Sequence, residues 1–371
     1  MKIQNALIFL IIFAISLSLI SCSTTYEPVE STEEEQKTVC TVSVGGETYH
    51  VRYELYRALF LTYKSEIDGE NPELWEGEGA EALVEEINEK ILARISDIYS
   101  VIHACALIGF DLYSREVEGT IEEFIKYSVE GGVYNGDTIE GYGSYEKYLA
   151  ALKELGLNYS VQTLMFRYSI GLDALERYYI GTDDGVLSED TPGEFTYTEE
   201  SLRDFYFSEA CVRVLRTYIQ EAAVYDPEER IEKIRKAVME AAPDGDVAVA
   251  TAMIANGSLI AESEVFAGYV IAKHNLDLAY FGEMVDVTFA LDEGEVSKAI
   301  SIHDGRERAY YVLYRAEKSE EHFKDNYGSI AYVYLKDRLG ELLEGYAVEL
   351  ASSVKYTKAY SEIKHSKITM E

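Results

Sequence analysis

The cysteines and histidines, the side chains best suited to act as nucleophiles, bases or soft-metal ligands, are few and scattered. The chain has 371 residues, with four cysteines and six histidines. Cys22, Cys40, Cys105 and Cys211 show no CxxC spacing, which argues against a metal cluster and against a disulfide framework. The three beyond Cys22 cannot all pair, and buried free thiols are their expected state. His50, His103, His322 and His365 are far apart, and His274 and His303 are expected as solvated loop residues. No H-E-x-x-H, G-x-S-x-G or phosphate-loop spacing occurs. With 67 Asp and Glu, acidic pairs arise everywhere, and their spacing carries little information. No metal and no cofactor is expected.

Composition bounds the remaining chemistry. Hydrophobic residues make up 47% of the chain, so it folds, and its length allows two domains with cores of their own. The formal net charge of -34 repels nucleic acid and anionic headgroups. It serves solubility, or else a surface that attracts basic clients or cations. The 31 tyrosines offer apolar area with a polar tip, which suits contact with varied unfolded segments; a general bias in residue usage explains them equally well.

The address is written at the start. Lys2 precedes an apolar run from Ala6 to Ile20, too short and wrongly flanked for a spanning helix. It ends in Leu19-Ile20-Ser21-Cys22, which resembles a bacterial lipobox. The resemblance implies cleavage before Cys22, lipidation of Cys22 and a protein held on the extracytoplasmic face of a cell membrane. Each buried CH₂ of such an anchor contributes about 0.8 kcal/mol. Residues 1–21 are then a signal peptide, and acidic residues 22–38 a flexible tether.

The elements that follow are legible by period. Val39 to Val51 alternates around Gly45-Gly46 and predicts a β-hairpin. Helical spacing predicts helices from about Arg52 to Asp68, from Ala80 to Tyr113, from Glu116 to Glu130, from Ser144 to Leu155 and from Tyr159 to Tyr179. Trp75 is expected to pack against a neighbour. Segments 131–144 and 183–196 read as loop and linker, and Thr198 as the N-cap of the next helix. Cys211 to Gln220 alternates as a strand, Asp226 to Ala241 is a helix with Pro227 at N1, and Asp246 to Ala255 is a second helix. Phe266 to Ile271 is a candidate strand. From Phe281, a short helical or irregular segment leads to a turn at Asp292-Glu293-Gly294, a strand entry at Val296 and a strand over Ala309 to Tyr314. His322 to Tyr360 is one or two helices.

Met284 ahead of F-A-L-x-x-G-E-V-S, followed by a closing hairpin, resembles the C-terminal half of a parvulin-type peptidyl-prolyl isomerase domain. The β-hairpin with its Tyr-rich helix, the pattern from Tyr145 to Tyr179, and the segment from Thr198 to Phe207 resemble the extracytoplasmic foldases of the SurA and PrsA class. The resemblance covers roughly residues 39–360. It implies an α+β fold: a mainly helical chaperone lobe over 39–207, including a connector helix, an inserted parvulin-like α/β domain over 208–317, and a C-terminal helix within 318–371 that packs back on the lobe.

In the family, a hydrogen-bonded pair of histidines backs an apolar proline pocket. Here Arg216 stands at or beside the first histidine position and Tyr311 at the second, so neither histidine is matched. The proline-pocket residues survive in part as Met284 and Phe289, for which ordinary core is the competing reading. The implied function is a lipid-anchored chaperone or foldase for unfolded or newly exported polypeptides, with weak or no isomerase activity. An active isomerase using Tyr311 and Arg216 is the alternative, and a structural or solute-binding envelope lipoprotein is the third.

Overall fold

The structure is a computed structural model. It describes residues 26–369 apart from 69–71, 76–78, 135–136, 184–185, 189–191, 222–224, 258, 275–281 and 304–307. The chain divides into two compact units, one of Met1–Leu175 with Leu342–Glu371, the other of Glu176–Glu341. The fold class is α+β.

The first unit opens with strands β1 (Thr38–Val44) and β2 (Glu47–Arg52), paired antiparallel. Gly45 and Gly46 join them at φ of 57° and 88°, the two positive values that a tight two-residue hairpin turn requires. Helices α1 (Tyr53–Asp68), α2 (Ala80–Leu107), α3 (Arg115–Glu130), α4 (Tyr145–Glu154) and α5 (Tyr159–Tyr179) follow. Along α2, Ile87, Ile91, Ile95, Ile98 and Val101 are buried, a helical stripe that gives the unit its spine.

At Gly171 of α5, a Cβ would stand 2.9 Å from Val101 Cγ1 and 3.1 Å from Cys105 Sγ, so glycine lets the helices approach closely. Trp75 is buried, with its ring 5.8 Å from that of Phe60. Cys40, Cys105 and Cys211 are free and buried. The C-terminal chain belongs to the same unit. Strand β11 (Lys355–Tyr356) adds to β1, and the Thr357 amide donates to the Val39 carbonyl at 2.9 Å.

Several boundaries differ from the sequence reading. Helix α2 stops at Leu107, because Gly109 takes φ 76° and Ser114 caps α3 by accepting from the Val117 amide. The expected loop at 131–144 contains a small hairpin, β3 (Gly132–Tyr134) with β4 (Asp137–Ile139). The expected linker contains another, β5 (Thr182–Asp183) with β6 (Val186–Leu187). These ladders are too short to leave an alternating pattern.

The second unit is organised on one sheet. Helix α6 (Glu199–Phe207) begins at a capping box in which Thr198 accepts from the Ser201 amide and Ser201 from the Thr198 amide. Strand β7 (Cys211–Gln220) leads to α7 (Pro227–Ala241), α8 (Asp246–Ala255) and α9 (Glu262–Ala267). Next come β8 (Tyr269–Ala272), α10 (Gly282–Ala290), β9 (Ile300–His303) and β10 (Arg308–Ala316). The antiparallel order is β8-β7-β10-β9. The candidate strand at Phe266 to Ile271 is therefore the end of α9, a turn at Gly268 (φ 71°) and the start of β8.

Helices α7, α8 and α9 cover one face, where Ile231, Ile234, Val249 and Val265 meet Leu215, Ile219 and Val312. Helix α10 lies on the other. Beyond the sheet, α11 (Glu320–Asp325) and the first part of α12 (Tyr327–Ser352) pack with α6 around Phe205, Tyr206, Phe323 and Ile330.

Candidate functional site

Strand alternation turns Arg216 and Tyr311 to one face of the sheet, and helix α10 sets Met284 and Phe289 against that face. On β7, Val212, Val214, Arg216 and Tyr218 project towards the α10 side. The register sets Tyr218 opposite Tyr311 and Arg216 opposite Leu313 on β10. The Tyr218 and Tyr311 rings stack with centroids 5.3 Å apart. Met284, on α10, is fully enclosed with Tyr311, Leu313, Ile300 and Ile302. Phe289, one and a half turns on, is half-buried against Val212, Val214 and Ile271.

Arg216 leans on the partner strand. Its guanidinium lies 3.7 Å from the centroid of the Tyr269 ring on β8, and its Nε is buried without a hydrogen-bond partner. A cation held over a ring in this way is worth about 0.5–2 kcal/mol. Tyr269 donates to Glu264 at 2.8 Å; burial, then that bond, raises its pKa. The face thus offers ring surfaces, hydroxyls and one guanidinium. Turning an X–Pro bond over its barrier of about 18–20 kcal/mol requires no covalent step, so such groups can act only by how they hold a bound chain.

The histidines whose side chains are described serve elsewhere. His274 sits beyond β8, its amide donating to Asp337 Oδ1 at 2.8 Å and its Nδ1 3.2 Å from the same oxygen. His322 bridges the Tyr206 hydroxyl and the Ala267 carbonyl, both at 2.9 Å. His103 Nδ1 is 3.1 Å from the Tyr49 hydroxyl, and His365 Nε2 2.8 Å from that of Tyr56. Burial lowers the pKa of His322 and of His365. His303 ends β9, and its side chain lies outside the described residues. So do Cys22 and the whole apolar N-terminal run. Among the described residues, no helix is long and apolar enough to cross a membrane, and no group of three His, Cys, Asp or Glu is placed to hold a metal.

The first unit holds a cavity that sequence reasoning missed. It has a volume of about 410 Å³, and its walls include His50, Arg52, Tyr99, Tyr113, Thr163 and Arg167. Glu54 is buried at its edge, accepting from Ser160 Oγ at 2.8 Å and Asn158 Nδ2 at 2.9 Å, with Arg52 at 3.6 Å. The Arg167 guanidinium pairs with Glu118 and lies 4.8 Å from the centroid of the exposed Tyr113 ring. These walls come from separate stretches of chain, so no local motif marks them.

No protein-family model matches the chain, and no curated protein matches it. Among solved structures, the chain is similar to the foldase protein PrsA from Streptococcus pneumoniae. The identity is 15%, the match covers 86% of this chain and 96% of that one, and the TM-score is 0.25. It is also similar to the foldase protein PrsA from Lactococcus lactis, at 15% identity over 90% of this chain and 99% of that one, with a TM-score of 0.23.

Proposed function

We propose that this chain binds loosely folded polypeptide segments as a lipid-anchored, extracytoplasmic chaperone or foldase of the SurA and PrsA class. Its second unit is read as a worn parvulin-like module that holds chains without isomerising prolyl bonds efficiently. The observation carrying this reading is the order of elements in that unit. A strand, three helices, a strand, a helix and two strands close one antiparallel sheet, and Arg216, Tyr311, Met284 and Phe289 converge on its α10 side. The sequence resemblance, which sets Arg216 and Tyr311 at the two histidine positions, supports this reading alongside that order.

Burial refines the roles. Met284 is 0% exposed, so it supports the face from beneath. Phe289, Tyr218 and Arg216, which are half-buried, are the groups able to touch a bound chain. The proposed partners are unfolded or newly exported polypeptides, and the proposed location is the outer face of a membrane, through lipid on Cys22.

A protease-coupled prolyl-peptide assay tests the reading. The expected result is a cis-to-trans rate indistinguishable from the uncatalysed one. A rate comparable with an authentic parvulin, lost on changing Met284 or Phe289, would overturn it.

The closeness of Tyr311 and Tyr218 favours a second reading, a residual isomerase in which hydroxyls and the Arg216 guanidinium hold the twisting amide. In that case Tyr311→Phe and Arg216→Ala each lower a measurable rate. The cavity in the first unit favours a third, a solute-binding lipoprotein, which saturable binding of a small molecule there would support.

A further inference from the structure

The stretch read from sequence as a tether is engaged with the first unit from Tyr26 onward. The Tyr26 ring stacks on Tyr145 with centroids 4.9 Å apart, and its hydroxyl donates to Glu130 at 3.1 Å. The Tyr145 hydroxyl donates to the Glu27 carbonyl at 2.7 Å. Ser31 donates to Glu54, and Asn158 Nδ2 reaches Glu35 at 3.3 Å. The Glu54 and Tyr53 amides donate to the carbonyls of Glu35 and Lys37 at 3.0 and 2.8 Å. Residues 26–37 therefore run as a strap past the end of α3 and the starts of α4, α5 and α1.

Only residues 23–25 separate Cys22 from the first strapped residue. Four Cα steps span at most about 14 Å even when fully extended. We propose that the lipid on Cys22 is short-leashed, and that the corner of the first unit formed by Tyr26, Val29, Glu130 and Tyr145 faces the bilayer surface. This rests on the lipid-anchor part of the proposed function.

The corner has chemistry suited to that place. Tyr26 and Tyr145 are amphipathic rings of the kind that sit at the headgroup level, and Val29 is an exposed apolar side chain beside them. A cleft of about 790 Å³ opens there. Glu27, Glu130 and Glu146 border the same cleft and give no attraction to anionic lipid, so the covalent anchor does the holding.

The test uses the full-length lipidated protein on phosphatidylcholine vesicles that contain a headgroup-nitroxide lipid. Cys40, Cys105 and Cys211 are buried and an acylated Cys22 cannot react, so Glu146→Cys takes a maleimide fluorophore selectively. Most of its emission is expected to be quenched. A Gly-Ser insert of about 20 residues between Ser23 and Thr24, whose ends average roughly 25 Å apart, is expected to restore it while the protein still floats with the vesicles. Full emission from the floating natural chain, or equal quenching with and without the insert, overturns the short leash. Failure of the natural chain to float overturns the anchor reading and the leash with it, and flotation tells the two failures apart.

Discussion

His322 shows how burial fixes a proton. The Ala267 carbonyl can only accept, so Nε2 carries the hydrogen and Nδ1 accepts from the Tyr206 hydroxyl. Burial first, and the Arg213 charge second, hold its pKa below the usual histidine range; burial alone does so for His365. A folded pKa below the unfolded one means that the unfolded chain takes up the proton first. The stability contributed is present in full above the unfolded value, near pH 6.5, and is lost as pH falls from there towards the folded values. Thermal unfolding followed from about pH 8 to about pH 5 should show the midpoint dropping on the acid side. His322→Gln should flatten part of that drop. An unchanged midpoint across the range would show that neither ring is kept neutral by the fold. Asp337 runs the other way, since burial raises its pKa and any gain comes lower, as pH falls through the carboxylate range. At the proposed site, Arg216→Ala removes the cation over Tyr269 and should cost about 0.5–2 kcal/mol in a urea titration.

At the scale of elements, glycine and caps carry the sharpest expectations. Gly340 lies inside α12, where a Cβ would fall 1.9 Å from the His274 carbonyl oxygen. Alanine is normally the better helix former, yet here Gly340→Ala forces backbone apart and should destabilise by about 1–3 kcal/mol. A stabilising result would mean that the helix and the His274 turn do not meet. Thr198→Ala removes half of the capping box on α6 and should lower stability by about 1 kcal/mol. The elements themselves were unevenly legible. β7, α5 and α8 stand where period and capping place them, because each is long or sharply bounded. The hairpins β3–β4 and β5–β6, and the two-residue β11, owe their existence to partners distant in sequence or to ladders of two or three residues. The set Arg216, Tyr311, Met284 and Phe289 came from the family resemblance; the strand register and one short helix are what put these residues beside the same sheet face. The cavity beside Glu54 was not legible in the sequence, since β2, α2 and α5 each supply a wall and no stretch of sequence contains it.

At the scale of the whole molecule, charge and aromatic content set what it can hold. Under the proposed function, a net charge of -34 would attract basic clients. Binding of a basic unfolded client should therefore weaken as salt rises and the Debye length falls from about 10 Å at 0.1 M to about 3 Å at 1 M. A residual affinity that salt does not remove would report the aromatic surfaces around Phe289 and Tyr218. The most direct test is fluorescence anisotropy with one basic protein, labelled and presented both in a permanently unfolded form and in its native form. Saturable binding of the unfolded form, with none of the native form, is expected. No binding of the unfolded form, or equal binding of both, would contradict the claim that this chain recognises loosely folded polypeptide.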